Sequence, residues 1–108
     1  MDIIQITDGL KALGDPTRLQ MVALMKHREC CVCEFTAIFH ISQPAISRHI
    51  GRLKNEGLVN EERRGQWVFY SLNRNKFEKL GFSLAHLPDL SEKFKELEEK
   101  GLLVNCDA

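Results

Sequence analysis

No apolar run in the sequence approaches the roughly 20 residues that a membrane-spanning helix needs. The first residues also lack a basic stretch followed by an apolar signal core, so the expectation is a cytoplasmic chain with no membrane partner. Prolines number only three, and no internal repeat or low-complexity linker divides the 108 residues. A chain of this length buries roughly two-thirds of its unfolded surface, which makes one modest core but no second domain and no deep catalytic cleft. Residues 1–108 are therefore expected to form a single domain. An enzyme is the poorest fit: no nucleophile–base pair, phosphate-cradling glycine loop or carboxylate dyad stands at usable spacing.

Net charge is also missing, with 15 basic against 15 acidic residues. The balance hides a bias. Residues 41–76 hold seven Lys/Arg against three Asp/Glu, whereas residues 77–108 hold four against seven. A basic middle between neutral and acidic flanks suits a nucleic-acid surface carried on a scaffold.

Cysteines are few but crowded: Cys30, Cys31 and Cys33 lie within four positions, with Cys106 near the end. Neighbours so close rarely pair neatly, so a disulfide framework is not expected. In a reducing compartment such a cluster binds a soft metal or acts as a reactive thiol. The plainer reading is three small buried residues packing a helix, since free cysteine behaves as a small hydrophobe.

Apolar spacing predicts a first helix from Ile3, Ile6, Leu10 and Leu13, closed by Gly14. Asp15 then caps a second helix with Pro16 at its first position, ending near Lys26 to Arg28. Residues 31–39 make a short third helical segment. Ser42 caps a fourth, in which Ile46, Ile50 and Leu53 share one face while Ser47, Arg48 and Arg52 point away from it. Beyond Gly57 the period changes to that of strands, over 58–62 and 66–72, with Arg63, Arg64 and Gly65 as the turn. Helical spacing returns in Phe77, Leu80 and Leu84 and again in Leu90, Phe94 and Leu97, interrupted by Pro88.

The expected fold is thus mainly α with a two-stranded β-wing, a winged helix-turn-helix. In that fold the fourth helix reads double-stranded DNA in the major groove. Arg48 or Arg52 would pair with guanine and Gln43 with adenine. The candidate interface comprises Ser42, Gln43, Ala45, Ser47, Arg48, His49 and Arg52 on the helix, and Arg63, Arg64, Gly65 and Gln66 on the wing. Basic residues at the wing would neutralise phosphates or enter the minor groove. His49 lies near the apolar edge of its helix, so a packed histidine fits it as well as a DNA contact does. The chemistry alone also admits a small helical domain with a solvated polar face.

Four segments in order resemble the ArsR family of metal-responsive repressors: Leu13-Gly-Asp-Pro-Thr-Arg18, Glu29-Cys-Cys-Val-Cys-Glu-Phe35, Ser42-Gln-Pro-Ala-Ile-Ser-Arg-His49 and Arg64-Gly-Gln-Trp-Val-Phe-Tyr70. The resemblance implies a homodimeric repressor of operator DNA, released by an inducer, with dimer contacts from the first and last helices. Those helices carry the stripes Ile3/Ile6/Leu10 and Leu90/Phe94/Leu97. The family's arsenic sensors carry Glu-Leu-Cys-Val-Cys-Asp-Leu, so Cys31 and Cys33 match and Cys30 stands at the leucine position. The resemblance therefore implies Cys30, Cys31 and Cys33 as metal ligands for As(III) or Sb(III), with Cd or Pb as further inducers and no organic cofactor. Either Cys30 or Cys106 would supply the third sulfur. His86 and Asp89 do not reproduce the zinc site of other relatives.

On a regular helix, residues two apart point about 200° apart, so Cys31 and Cys33 are expected to share an ion only if the turn unwinds, shifting the reading helices. A second reading keeps the DNA module but makes the cysteines an oxidant or persulfide switch. A third, from another class, is a winged-helix protein-interaction module with no DNA partner.

Overall fold

The computed structural model describes residues 1–103; Cys106 lies outside them. Its first helix, α1 (Ile3–Leu13), is entered through a capping box in which the Asp2 carboxylate accepts from the Gln5 N–H and the Gln5 side chain accepts from the Asp2 N–H. Asp15 caps α2 (Pro16–Met25), accepting from the Arg18 N–H at 3.0 Å, as its sequence position predicts. Met21 to Met25 are all buried, so α2 runs through the centre of the core.

Next come α3 (Val32–Phe39) and α4 (Gln43–Asn55), joined through His40, whose left-handed φ of 57° turns the chain. Ile46, Ile50 and Leu53 anchor α4 in the core and leave its other face outward. The remaining helices are α5 (Arg74–Leu80) and α6 (Glu92–Glu99), with a single 3₁₀ turn at Leu84–His86 between them.

The sheet departs from expectation in two ways. It has three strands, not two: β1 (Cys30–Cys31), β2 (Val59–Arg64) and β3 (Trp67–Leu72) are ordered β1-β3-β2, all antiparallel. Two residues are too short a run to show a period, so β1 had no signature in the sequence. The wing turn also lies further on. Arg63 and Arg64 are in β2, paired with Val68 and Trp67, and only Gly65 and Gln66 turn. A two-residue hairpin turn needs positive φ at its start, and Gly65 supplies it at 61°.

The α6 stripe turns inward. Phe94 and Leu97 are only 8% and 3% exposed within the protomer, with the Arg28 guanidinium 5.5 Å over the Phe94 ring. By contrast Ile3 and Ile4 on α1 stand 74% and 70% exposed. None of the helices in the described residues is long and apolar enough to cross a membrane.

Candidate nucleic-acid interface and thiol site

The outward face of α4 carries Gln43, Ser47, Arg48 and Arg52, all exposed. Ala45 is half-buried on the same turn. Ser42 is exposed, but its hydroxyl already caps the helix, accepting from the Ala45 N–H at 3.3 Å. A hydroxyl that accepts there can still donate outward.

His49 is turned toward the protein. Arg18 donates from Nη1 to His49 Nδ1 at 3.3 Å, and Asp15 Oδ2 lies 3.8 Å from the same nitrogen. Arg18 also donates to the carbonyls of Ala12 and Lys11 at the end of α1. The Asp15 carboxyl is held below the usual carboxylate range, first by the Arg18 backbone N–H and then by the positive charge of the Arg18 side chain. Together Asp15, Arg18 and His49 fasten α4 to the α1–α2 corner. Sequence reasoning placed Asp15 as a cap and Arg18 within a motif, but a contact across 31 residues of chain leaves no local signal.

On the wing, the two arginines differ. Arg63 is exposed, its side chain making no ion pair or hydrogen bond among the described residues, whereas Arg64 is engaged by both Glu29 and Glu62 and lies 4.7 Å over the Phe69 ring. Gly65 and Gln66 form the exposed tip. Lys54, near the end of α4, is paired with Glu61 of β2, which braces the wing against the helix.

The cysteines divide. Cys31 and Cys33 are joined in a disulfide, with Cα atoms 5.5 Å apart. The expectation that they diverge fails for a simple reason: Cys31 is the extended N-cap residue of α3, at φ −103° and ψ 166°, so helical spacing does not apply to it. The buried Glu34 carboxylate fixes this cap by accepting from the Cys31 N–H at 2.9 Å, with Arg28 Nη2 at 3.7 Å. Cys30 is not brought together with the pair. Strand alternation points it the other way, into the main core, where its thiol donates to the Arg28 carbonyl at 3.5 Å. Burial, followed by the Glu34 charge, pushes the Cys30 thiol far up from its ordinary range. No group of three His, Cys, Asp or Glu side chains suited to a metal ion occurs among the described residues.

Between the start of α3, the first half of α4 and the second wing strand lies a groove of about 410 Å³. Cys31 and Cys33 line one wall, Gln43 and Ser47 the second, and Trp67 and Tyr70 the third. The Cys31–Cys33 pair and the outward face of α4 therefore open onto one space.

Residues 15–61, from the α2 cap to the first wing strand, match the sequence profile of bacterial regulatory proteins of the arsR family. Over 64 residues the chain is 45% identical to the arsenic resistance transcriptional regulator ArsR1 of Pseudomonas putida KT2440, and over 64 residues 42% identical to the arsenical resistance operon repressor of Escherichia coli K12. HlyU of Vibrio cholerae N16961 superposes with a TM-score of 0.65 at 30% identity, covering 75% of this chain and 91% of HlyU. The chain belongs to the ArsR family. Its relatives are transcriptional regulators, not enzymes. The two curated matches take in 58% of this chain and about half of each relative, 50% of ArsR1 and 55% of the E. coli repressor. The transcriptional activator HlyU of Vibrio cholerae also matches, at 38% identity over 64 residues.

Proposed function

We propose that this ArsR-family protein is a homodimeric repressor that binds operator DNA through α4 and the wing, and releases it when a trivalent metalloid, As(III) or Sb(III), engages Cys31 and Cys33. The observation that carries the reading is the groove in which the thiol pair and the DNA-facing side chains Gln43 and Ser47 meet. Arg48 and Arg52 supply bidentate donors for guanine edges and Gln43 for adenine, while Arg63 and the exposed wing tip meet the backbone.

The donor set fits the inducer class. Soft sulfur selects As(III) and Sb(III), with Cd or Pb behind, over hard cations that prefer oxygen. Cys31 and Cys33 provide two adjacent sulfurs held by the Glu34 cap; Cys30, facing the core, is the weaker candidate for a third. Occupation of the groove places bulk beside the reading helix, and a differential affinity of about 2–3 kcal/mol between free and DNA-bound forms suffices for release. No organic cofactor enters. The reducing cytoplasm supplies the dithiol form.

One observation favours a second reading. Cys31 and Cys33 stand in disulfide contact, so a two-electron oxidation of the thiols closes the same site without a metalloid. Fluorescence anisotropy of the reduced protein on DNA from upstream of its own gene separates the two. The metalloid reading expects release by arsenite under full reductant, with Cys31→Ala and Cys33→Ala remaining bound. Release only on oxidation, reversed by dithiol, would replace it with the redox reading.

A further inference from the structure

The number of sulfurs that the fold brings together limits which arsenic compounds fit best. Trivalent arsenic forms three bonds. Inorganic arsenite, bound by thiols alone, calls for three sulfurs, whereas a compound that already carries one As–C bond has two exchangeable positions. The described residues present two facing sulfurs, Cys31 and Cys33, and turn Cys30 into the core. Beside the pair lies a groove of about 410 Å³, within the range of small-molecule clefts, walled by Trp67, Val68 and Tyr70 on one side and by Gln43 and Ser47 on another. Aromatic and apolar walls next to a dithiol offer a carbon substituent what inorganic arsenite does not need.

We propose that the groove between α3, α4 and the wing is a substituent pocket, and that the ligand it selects is a mono-organyl arsenic(III) compound, its arsenic on Cys31 and Cys33 and its organic group against Trp67. This rests on the reading of Cys31 and Cys33 as the metalloid site. The exchange is R–As(OH)₂ + 2 Cys–SH → R–As(S–Cys)₂ + 2 H₂O. Two As–O bonds break, two As–S bonds form, the thiol protons leave with the hydroxyls as water, and arsenic stays trivalent. The Cys31–Cys33 disulfide is opened beforehand by a dithiol reductant, which departs as its own cyclic disulfide. Once seated, the organic group lies between α4 and the wing. It therefore competes for the space that DNA approaches, beside Gln43 and Ser47.

Trp67 is the sole tryptophan of the chain, so its fluorescence reports on the groove alone. The test uses the reduced full-length protein, titrated separately with phenylarsine oxide and with sodium arsenite. Trp67 emission and the anisotropy of a labelled operator duplex are read in parallel. A phenyl ring against aromatic walls adds roughly 1–2 kcal/mol, so phenylarsine oxide is expected to quench Trp67 and release DNA at about ten-fold lower concentration than arsenite. Cys33→Ser should respond to neither compound, while Cys30→Ala and Cys106→Ser should respond to phenylarsine oxide like the parent protein. Val68→Phe, which fills the groove, should bring the two compounds to parity in the Trp67 titration, read without the duplex because bulk in the groove itself disfavours DNA; Thr36→Leu, on the α3 wall, is the substitute if Val68→Phe does not fold.

Release by arsenite at equal or lower concentration than phenylarsine oxide overturns the pocket and leaves the repressor reading standing. Loss of the phenylarsine oxide response in Cys106→Ser also overturns the pocket, because a third sulfur is then required. If a protein that binds the duplex answers neither compound, the metalloid reading itself fails and the pocket with it.

Discussion

Arg64 donates from Nη1 and Nη2 to the two carboxylate oxygens of Glu29, at 2.5 and 2.6 Å, tying the end of the first wing strand to the residue that enters the cysteine segment. Bidentate geometry of this kind fixes orientation as well as distance. Because Cys31 also pairs with Phe69 of β3, the cysteine segment belongs to the wing's own sheet. A change at the thiols thus has a direct mechanical path to the wing, in addition to its proximity to α4.

The two wing arginines should therefore behave differently. Arg63 carries an uncommitted charge, and Arg63→Ala is expected to lower operator affinity and reduce the salt slope of binding by about one per protomer. Arg64 is already neutralised by two carboxylates, so Arg64→Ala should leave the salt slope unchanged while lowering the thermal midpoint of the fold. Operator titrations across a range of salt, beside thermal melts of both variants, decide the matter. Equal salt slopes for the two variants would mean that Arg64 leaves Glu29 to reach DNA.

On α4 the exposed arginines are expected to specify sequence and the buried face to hold the helix. Arg48→Ala should cost about 1–3 kcal/mol on the cognate operator and relax preference at one base pair per half-site. Ser42→Ala should act mainly on stability, costing about 1 kcal/mol through the lost N-cap. Binding to a panel of single-base operator variants, together with urea unfolding, separates these effects. A uniform loss across all bases for Arg48→Ala would reassign that residue to the phosphate backbone.

The contrast between Arg63 and Arg64 also shows what the sequence could reveal. Helices α1, α2 and α4 were legible because their apolar residues repeat at helical spacing and their starts carry Asp15 and Ser42, signals that operate within one turn. The wing was legible as alternation, but its turn was displaced because nothing local shows that Arg64 is held by a glutamate 35 residues earlier. Likewise, Cys31 looked helical beside Cys33, and only the Glu34 cap and the pairing with Phe69 make it extended. The stripe on α6 was read for its apolarity, and whether it faces its own chain or a second one depends on α3, against which α6 packs.

Asp15 should make stability depend on pH in a definite direction. Its folded carboxyl titrates below the unfolded value, near 3.9, so its charged contribution is fully present above that value and is lost as pH falls through the lower folded one. Asp15→Asn keeps a capping oxygen but no charge. The stability gap between the parent protein and Asp15→Asn should therefore be about 0.5 kcal/mol near neutrality and shrink on acidification below pH about 4. Asp15→Ala, which loses the cap itself, should cost about 1 kcal/mol and retain most of that cost in acid. Urea unfolding of the three proteins at several pH values tests both; a gap for Asp15→Asn that widens in acid would reverse the sign.

The last expectation concerns the second copy that the repressor reading requires. With Phe94 and Leu97 of α6 buried in their own protomer, the two most exposed large apolar side chains among the described residues lie on α1, where Ile3 and Ile4 stand 74% and 70% exposed and Leu10 48%, with Leu102 beyond α6 at 50%. Burying each such side chain is worth about 1.5–3 kcal/mol, so replacing both isoleucines on both protomers removes more than a typical dimer can lose. Ile3→Glu combined with Ile4→Glu is expected to yield a monomer by sedimentation velocity, with dimerisation weakened by at least about a hundred-fold. Helical content should persist in circular dichroism, because neither side chain belongs to the protomer core. Operator affinity should fall sharply even though every residue of α4 and the wing is intact, since two half-sites are then no longer bound by one particle. A double variant that still sediments as a dimer would move the interface away from this face of α1.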